Sequence, residues 1–149
     1  MKNIKKRILL VEDNPDHQEL TLMTLNENKV VDEIVVAGDG SEALDYLFGT
    51  GTHAGRDPRD VPSLILLDLK LPKIDGFQVL RRVREDERTR FVPVVILTSS
   101  CEQEDIVASM ENGASSYVRK PVDFGRFMEQ VQRAQVYWLQ VHESPNERS

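Results

Sequence analysis

Three acidic residues follow directly on short apolar segments of the sequence. Glu12 and Asp13 come after the apolar run 8–11, and Asp68 comes after the run 64–67. The carboxyl ends of parallel strands meet at one edge of a sheet, so these carboxylates lie together if the two runs form neighbouring strands. Carboxylates at close range repel one another, and Mg²⁺ is a hard cation that supplies their counter-charge. The acids could instead cap helices, which suits Asp13 better than Asp68.

Two further polar side chains stand where other apolar runs end. Thr98 follows the run 94–97, and Lys120 follows the run 116–118. With a carboxylate and Mg²⁺, these groups form a possible phosphoryl site in which Asp68 is the nucleophile and becomes an aspartyl phosphate. Lys120 adds a positive charge beside the phosphoryl oxygens, and Thr98 donates a hydrogen bond. Neither residue is informative alone; the prediction depends on their joint placement.

The elements that must position these residues alternate along the chain. Apolar runs of strand length lie at 8–11, 33–37, 64–67, 94–97 and 116–118. Their continuous apolar character is typical of parallel strands that are covered on both faces. Asn14 before Pro15 is a typical helix start, and Asp39 with Glu42 has the spacing of a capping box.

Apolar residues at helical spacing indicate a helix after each run. They are Leu20 and Met23; Ala43, Leu44, Leu47 and Phe48; Phe77, Val79, Leu80 and Val83; Ile106, Val107 and Met110, ending near Gly113; and Phe124, Phe127, Met128, Val131, Ala134 and Trp138. Alternating strands and helices with right-handed crossovers predict an α/β three-layer sandwich around a five-stranded parallel sheet.

Length and composition narrow the class of protein. The 149 residues predict one domain, 1–149, with a core at about 6–140 and tails at 1–5 and 142–149. The net charge of −6 disfavours a nucleic-acid partner, and no apolar run is long enough for a membrane span. Cys101 is the only cysteine, which excludes an internal disulfide and a cysteine-based zinc cluster. We expect a cytoplasmic protein. The long loop 49–62 could serve binding or be a tolerated insertion.

Four motifs in this order resemble the receiver domain of bacterial two-component response regulators. They are VEDN at 11–14, LLDLKLPKIDG at 66–76, VVILTSS at 94–100 and YVRKP at 117–121. The steps of 30 residues from Asp68 to Thr98 and 22 residues from Thr98 to Lys120 are similar to the family's spacing. The resemblance implies a flavodoxin-like (βα)5 fold with strand order 2-1-3-4-5.

The resemblance also implies how the acids act. Asp68 accepts a phosphoryl group from the phosphohistidine of a sensor histidine kinase or from a phosphotransfer protein. Glu12, Asp13 and Asp68 hold Mg²⁺, and the main-chain carbonyl of Lys70 supplies a further oxygen. The chain is then a regulator and not an enzyme, apart from its own phosphorylation and dephosphorylation.

Further residues match the family's phosphoryl-binding and switch positions. Thr98 turns toward the phosphoryl group, Ser99 takes the small-residue position beside it, and Lys120 pairs with it. The Lys120–Pro121 peptide is expected to be cis. Tyr117 matches the switch aromatic, although it could also be a half-buried strand aromatic. We expect phosphorylation to change the surface formed by the fourth helix, the fifth strand and the fifth helix, and so to control partner binding or dimerisation.

We expect no output domain after the fifth helix, and we therefore expect the signal to leave through a partner or through self-association. That helix carries apolar residues beyond one stripe: Val136, Tyr137, Trp138, Leu139 and Val141. They could form a homodimer surface or could pack at the end of the domain. The long loop and the YWL segment are similar to small standalone regulators that pair with bacterial phytochrome kinases.

Two other functions remain open from the sequence. A Mg²⁺-dependent phosphohydrolase could use Asp68 as a transient nucleophile, but hydrolases of the haloacid-dehalogenase type carry a second aspartate where this chain has Lys70. A phosphorylation-independent interaction module is the other alternative. Degenerate receivers usually lose one of the acids or the lysine, and this chain keeps them.

Overall fold

Strands and helices alternate through the computed structural model, which describes residues 6–27, 31–98, 103–119 and 124–141. The strands in these ranges are β1 (Arg7–Val11), β2 (Glu33–Ala37), β3 (Leu64–Asp68), β4 (Val94–Thr98) and β5 (Ser116–Arg119). The α-helices are α1 (Pro15–Glu27), α2 (Gly40–Phe48), α3 (Gly76–Glu85), α4 (Gln103–Glu111) and α5 (Phe124–Val136), which continues as a π-helical turn at Tyr137–Val141. The predicted order of elements is confirmed.

The strands form one parallel sheet in the order β2-β1-β3-β4-β5. This is the predicted flavodoxin-like topology. β1 and β3 are neighbours, with Leu9 paired to Ile65 and Val11 paired to Leu67. The two acidic segments that follow β1 and end β3 therefore meet at the same edge of the sheet.

Apolar side chains fill both faces of the sheet. β1, β3 and β4 are buried along their whole length, as continuous apolar strands in a covered sheet should be. One face packs on α2 and α3 through residues such as Leu47 and Leu80. The other face packs on α1 and α5 through residues such as Leu25 and Val131. Burial of this apolar surface is the main force that holds the three layers together.

Side chains cap the helices that follow β1 and β2. Asn14 Oδ1 accepts hydrogen bonds from the amides of Asp16 at 2.9 Å and His17 at 3.2 Å, so α1 starts as predicted. Asp39 Oδ1 accepts from the Glu42 amide at 2.8 Å. The predicted capping box is incomplete, because Glu42 Oε1 accepts from the amide of Gly38, at 2.9 Å, and not from that of Asp39.

Three apolar residues that were predicted on helical stripes point to solvent. Met23 of α1 is 57 % exposed, and Val107 and Met110 of α4 are 43 % and 45 % exposed. Leu20 and Ile106 are the members of these stripes that pack inward. The side-chain positions predicted for Phe124, Phe127 and Met128 lie outside the described part of the structure.

The apolar residues at the end of α5, which could form a dimer surface or pack at the end of the domain, differ in burial. Leu139 is buried and Trp138 packs against the same core cluster, which agrees with packing at the end of the domain for these two residues. Lys6 Nζ donates a hydrogen bond to the Leu139 carbonyl at 2.9 Å and ties the turn to the start of β1. Tyr137 is 50 % exposed and remains on the surface.

The long loop 49–62 folds back on α2. Arg56 Nη1 donates to the Tyr46 carbonyl at 2.7 Å, and its guanidinium lies 3.9 Å from the centre of the Tyr46 ring. The His53 ring meets the same ring edge-on at 5.3 Å. The loop leads into the start of β3, at the sheet edge opposite the acids. No helix in the described residues has the length and apolar character needed to cross a membrane.

Arg84 joins the ends of α3 and α4. Its Nε donates to the Gly113 carbonyl at 2.8 Å, and its Nη1 donates to the carbonyls of Val92 at 2.7 Å and Arg90 at 3.1 Å. Burial lowers the pKa of this guanidinium, and its hydrogen bonds go to neutral oxygens. Gly113 has φ +101°, and a Cβ there would lie 2.9 Å from Arg84 Cγ, so the two residues fit only without a side chain at 113.

Candidate functional site

Three carboxylates meet at the carboxyl edge of the sheet. Glu12, Asp13 and Asp68 each place a carboxylate oxygen within 4.8 Å of the other two. Glu12 is fully buried and Asp68 is 6 % exposed, while Asp13 is exposed to solvent. Buried carboxylates this close need a positive charge, and three oxygen donors suit a hard divalent cation. The predicted convergence of the acids is therefore present, and the cluster could hold a metal ion.

Glu12 is held between β2 and α1. Its amide donates to the Ala37 carbonyl at 3.0 Å, and Gln18 Nε2 donates to its carbonyl at 2.6 Å. Its side-chain Oε2 accepts from the Asn14 amide at 3.2 Å, and His17 Nδ1 lies 3.9 Å from Oε1. These contacts fix both the backbone and the side chain of a carboxylate that has no exposure to water.

Asp68 is held by the chain that follows it. The amide of Lys70 donates to Asp68 Oδ1 at 3.1 Å. The amide of Gly76 donates to the Leu69 carbonyl at 2.9 Å, and a Cβ at Gly76 would lie 2.4 Å from the Asp68 carbonyl oxygen. Only glycine allows the first turn of α3 to approach Asp68 this closely.

Asp75 is the N-cap residue of α3. Its Oδ1 accepts from the Gln78 amide at 3.0 Å, and Gln78 Oε1 accepts from the Asp75 amide at 3.2 Å. This is a complete capping box, with Asp and Gln in place of the commoner Ser or Thr and Glu. The box fixes where the loop after Asp68 rejoins regular structure.

The tip of the loop between β3 and α3 was not singled out from the sequence. Lys73 has φ +68°, and the Ile74 amide donates to the Pro72 carbonyl at 2.9 Å. Gly40 lies against this tip, because a Cβ there would be 1.9 Å from the Ile74 carbonyl oxygen. Lys73 Nζ lies 3.6 Å from Asp39 Oδ2. The Asp-Gly pair at 39–40 is typical of a turn, but the residue type of Lys73 does not predict its positive φ.

Thr98 and Tyr117 lie on the same face of the sheet. Thr98 ends β4 and is 2 % exposed. The residue before it, Leu97, pairs in register with Asp68 of β3. Tyr117 pairs with Ile96, two residues before Thr98, so their side chains share a face. Tyr117 is 42 % exposed, which makes it a surface aromatic of β5 here.

Three predicted site residues lie outside the described part of the chain. They are Ser99, Lys120 and Pro121. The pairing of Lys120 with the phosphoryl group, the role of Ser99 and the cis peptide at Lys120–Pro121 therefore stay predictions.

Comparison with known families decides what kind of protein carries this cluster. The response regulator receiver domain matches residues 8–132 of the chain. The chain belongs to this family. The receiver fold is confirmed, as is the prediction of a phosphorylation-accepting response regulator of two-component signalling. Family membership favours this regulatory role over a phosphohydrolase.

Phytochrome response regulators are among the most similar relatives. Response regulator Rcp1 of Synechocystis sp. is 35 % identical over 138 residues, which cover 93 % of this chain and 92 % of Rcp1. The crystal structure of an Mn²⁺-bound form of Rcp1 matches with a TM-score of 0.85 at 33 % identity, covering 94 % of this chain and 99 % of that one.

Two further structures extend this similarity. The phosphorylated cyanobacterial phytochrome response regulator RcpA matches with a TM-score of 0.86 at 35 % identity, covering 95 % of this chain and 99 % of RcpA. The bacteriophytochrome response regulator AtBRR matches with a TM-score of 0.70 at 46 % identity, covering 93 % of this chain and 95 % of AtBRR. The similarity therefore runs over nearly the full length of both proteins.

Proposed function

We propose that Asp68 of this response regulator accepts a phosphoryl group from the phosphohistidine of a sensor histidine kinase or phosphotransfer protein. An Asp68 carboxylate oxygen forms a bond to phosphorus as the phosphorus–nitrogen bond breaks, and the released imidazole takes a proton from solvent. The observation that carries the proposal is the setting of Asp68. It ends β3, is oriented by the Lys70 amide at 3.1 Å, and lies within 4.8 Å of the Glu12 and Asp13 carboxylates.

The metal ligands are the carboxylates of Glu12, Asp13 and Asp68 and the main-chain carbonyl of Lys70. Oxygen donors of this kind suit Mg²⁺, which keeps several waters when it binds proteins. When bound, the cation neutralises charge on the phosphoryl oxygens. The Mn²⁺-bound form of Rcp1 supports a divalent cation at this site.

The switch residues surround the new aspartyl phosphate. Thr98 donates a hydrogen bond to the phosphoryl oxygens, Ser99 takes the small-residue position beside them, and the Lys120 ammonium pairs with them. Movement of Thr98 leaves space on its own face of the sheet, into which Tyr117 turns from the surface. The exposed side chains of α4, Val107 and Met110, lie on the surface that changes with it.

A bacterial phytochrome is the kinase that we propose as partner, on the basis of the similarity to RcpA and AtBRR. A homodimer through the end of α5 is part of the same proposal. Its contact residue is Tyr137, which is 50 % exposed while Leu139 beside it is buried. Sedimentation of the wild type and of Tyr137→Glu tests the dimer: the substitution should shift the protein to monomer, and an unchanged distribution would exclude this surface.

The phosphoacceptor is tested with acetyl phosphate, Mg²⁺ and intact-mass spectrometry. The wild type should gain one phosphoryl group, Asp68→Asn should gain none, and the matched variant Asp16→Asn should be labelled normally because Asp16 is an exposed residue of α1. An adduct on Asp68→Asn would move the site elsewhere, and no adduct on the wild type would favour a phosphorylation-independent module. Transfer rates from a phytochrome kinase and from an unrelated kinase then test the partner.

A further inference from the structure

The loop between β3 and α3 is closed tightly at its base. Gly76 donates to the Leu69 carbonyl at 2.9 Å, and its Cα lies so near Asp68 that a Cβ would be 2.4 Å from the Asp68 carbonyl oxygen. Lys70 lies inside this closed loop, with its amide on Asp68 Oδ1. The position of the Lys70 backbone therefore depends on the shape of the rest of the loop.

A strained turn determines the shape of the loop tip. Lys73 has φ +68°, and the hydrogen bond from the Ile74 amide to the Pro72 carbonyl closes a γ-turn around it. A γ-turn with positive φ is rare, and a lysine has no local preference for it. Such a conformation persists only where the surrounding structure holds it in place.

The turn before α2 holds the loop tip. Gly40 is buried, and its Cα approaches the Ile74 carbonyl so closely that a Cβ would lie 1.9 Å from the oxygen. The nearby ion pair is weaker support: Lys73 Nζ and Asp39 Oδ2 are 3.6 Å apart, and their side chains are 69 % and 20 % exposed. The backbone contact and not the charge of Lys73 is therefore the main constraint on the turn.

We infer that Lys73 and Gly40 are positioning residues of the metal site. The left-handed turn at Lys73, pressed against Gly40, sets the Lys70 backbone so that its amide orients Asp68 and its carbonyl could serve as the proposed metal ligand. This inference rests on the proposed function, because it takes the Lys70 carbonyl as a metal ligand. It assigns the role to backbone conformation, which distinguishes Lys73 from a residue that acts through its ammonium group.

A substitution series at Lys73 separates conformation from charge. The probe is Mn²⁺ alone, with free Mn²⁺ measured by electron paramagnetic resonance and no phosphodonor present. Glycine and asparagine accept positive φ, whereas β-branched valine does not. Lys73→Val should therefore weaken Mn²⁺ binding about 10-fold or more, as loss of an outer-shell contact does, while Lys73→Gly and Lys73→Asn stay within about threefold of the wild type. Equal affinities for valine and glycine, or equal losses in all three, would overturn the inference.

Gly40→Ala and Gly38→Ala form a matched pair across the same turn. A Cβ at Gly38 would meet only Glu42 Oε1, at 3.8 Å, while one at Gly40 would collide with Ile74. Gly40→Ala should weaken Mn²⁺ binding and Gly38→Ala should leave it unchanged. If Gly40→Ala does not fold in urea-unfolding controls, the Lys73 series decides.

Phosphorylation of these variants by acetyl phosphate gives a second readout. At saturating Mn²⁺ the maximal rate of Lys73→Val should recover toward that of the wild type, because the defect is in metal binding. A merely structural role would lower the maximal rate or the free energy of unfolding and leave the affinity for Mn²⁺ unchanged. Absence of Mn²⁺ binding by the wild type would refute the proposed metal site, whereas binding that Lys73→Val and Gly40→Ala leave unchanged would refute only this inference.

Discussion

The backbone amide of Lys70 donates a hydrogen bond to Oδ1 of Asp68 over 3.1 Å. The bond joins the proposed phosphoacceptor to the residue whose carbonyl is the proposed fourth metal ligand. A hydrogen bond to a charged carboxylate is stronger than one between neutral groups, so it holds the side chain in one orientation. Orientation of the nucleophile and placement of a metal ligand thus depend on the same short segment of backbone.

Asp13→Asn should make the metal-free protein more stable and remove its stabilisation by Mg²⁺. Asp13 is the exposed member of a cluster whose oxygens lie within 4.8 Å of one another, so loss of its charge relieves repulsion by about 1 kcal/mol. A ligand stabilises only the folded state that binds it. Thermal unfolding with and without MgCl₂ measures both effects; a Mg²⁺-dependent rise in Tm of normal size in Asp13→Asn would contradict the metal site.

Arg84→Met should destabilise the protein by about 2 kcal/mol or more, since the carbonyls of Gly113, Val92 and Arg90 lose their shared donor. Urea unfolding measures the loss. Arg81→Met removes an exposed arginine of the same helix and should change stability by less than about 0.5 kcal/mol. Similar losses in the two variants would mean that helix propensity or net charge, and not the hydrogen bonds by which Arg84 connects α3 and α4, explains the effect.

The strands and the parallel sheet could be predicted from continuous apolar runs and crossover rules, whereas the strand order was implied by the resemblance to the receiver family. Helical spacing, by contrast, identifies a stripe without showing what covers it, so Val107 and Met110 were assigned to a stripe that is exposed at these two positions. The approach of Glu12 and Asp13 to Asp68 followed once β1 and β3 were taken as neighbours. The conformation of Lys73 could not be foreseen, because its cause is a contact with Gly40 from a distant part of the sequence.

Thr21→Val should stabilise the protein by about 1 kcal/mol, and Thr24→Val should not. Both threonines of α1 are fully buried. Among the described residues Thr21 Oγ1 has no hydrogen-bond partner, whereas Thr24 Oγ1 donates to the Leu20 carbonyl at 2.9 Å. Removal of an unsatisfied buried hydroxyl recovers its desolvation cost, and removal of a bonded one does not. Equal changes in the free energy of unfolding would show that packing, not hydrogen bonding, governs these positions.

Asp86 should contribute stability that is lost in acid. Hydrogen bonds from the Arg88 side chain lower the pKa of Asp86 to about 2. Its carboxylate is stabilised in the folded state, so the contribution is complete above the unfolded pKa of about 4 and disappears as the pH falls toward 2. The pair is largely exposed to solvent, which limits the contribution to less than about 1 kcal/mol.

A carboxyl-carbon NMR titration of Asp86 checks this directly. A midpoint near the ordinary value of about 4 would contradict the pairing. Asp86→Asn should match the wild type more closely in unfolding free energy at pH 2 than at pH 6. Arg59 gives a control, because Arg59→Gln leaves the Asp86–Arg88 pair intact and should not alter the Asp86 midpoint.

The hydrogen bond from Arg84 to Gly113 holds α4 at its C-terminal end, so a tilt of this helix pivots about that end. The helix has nine residues and is therefore about 13 Å long. With the Gly113 end fixed to α3, a tilt of about 10° displaces the opposite end by about 2 Å, as the geometry of a rod of that length requires. The opposite end of α4 is the end that follows Thr98 along the chain. A rearrangement at that threonine therefore acts on α4 at the end that a tilt displaces most.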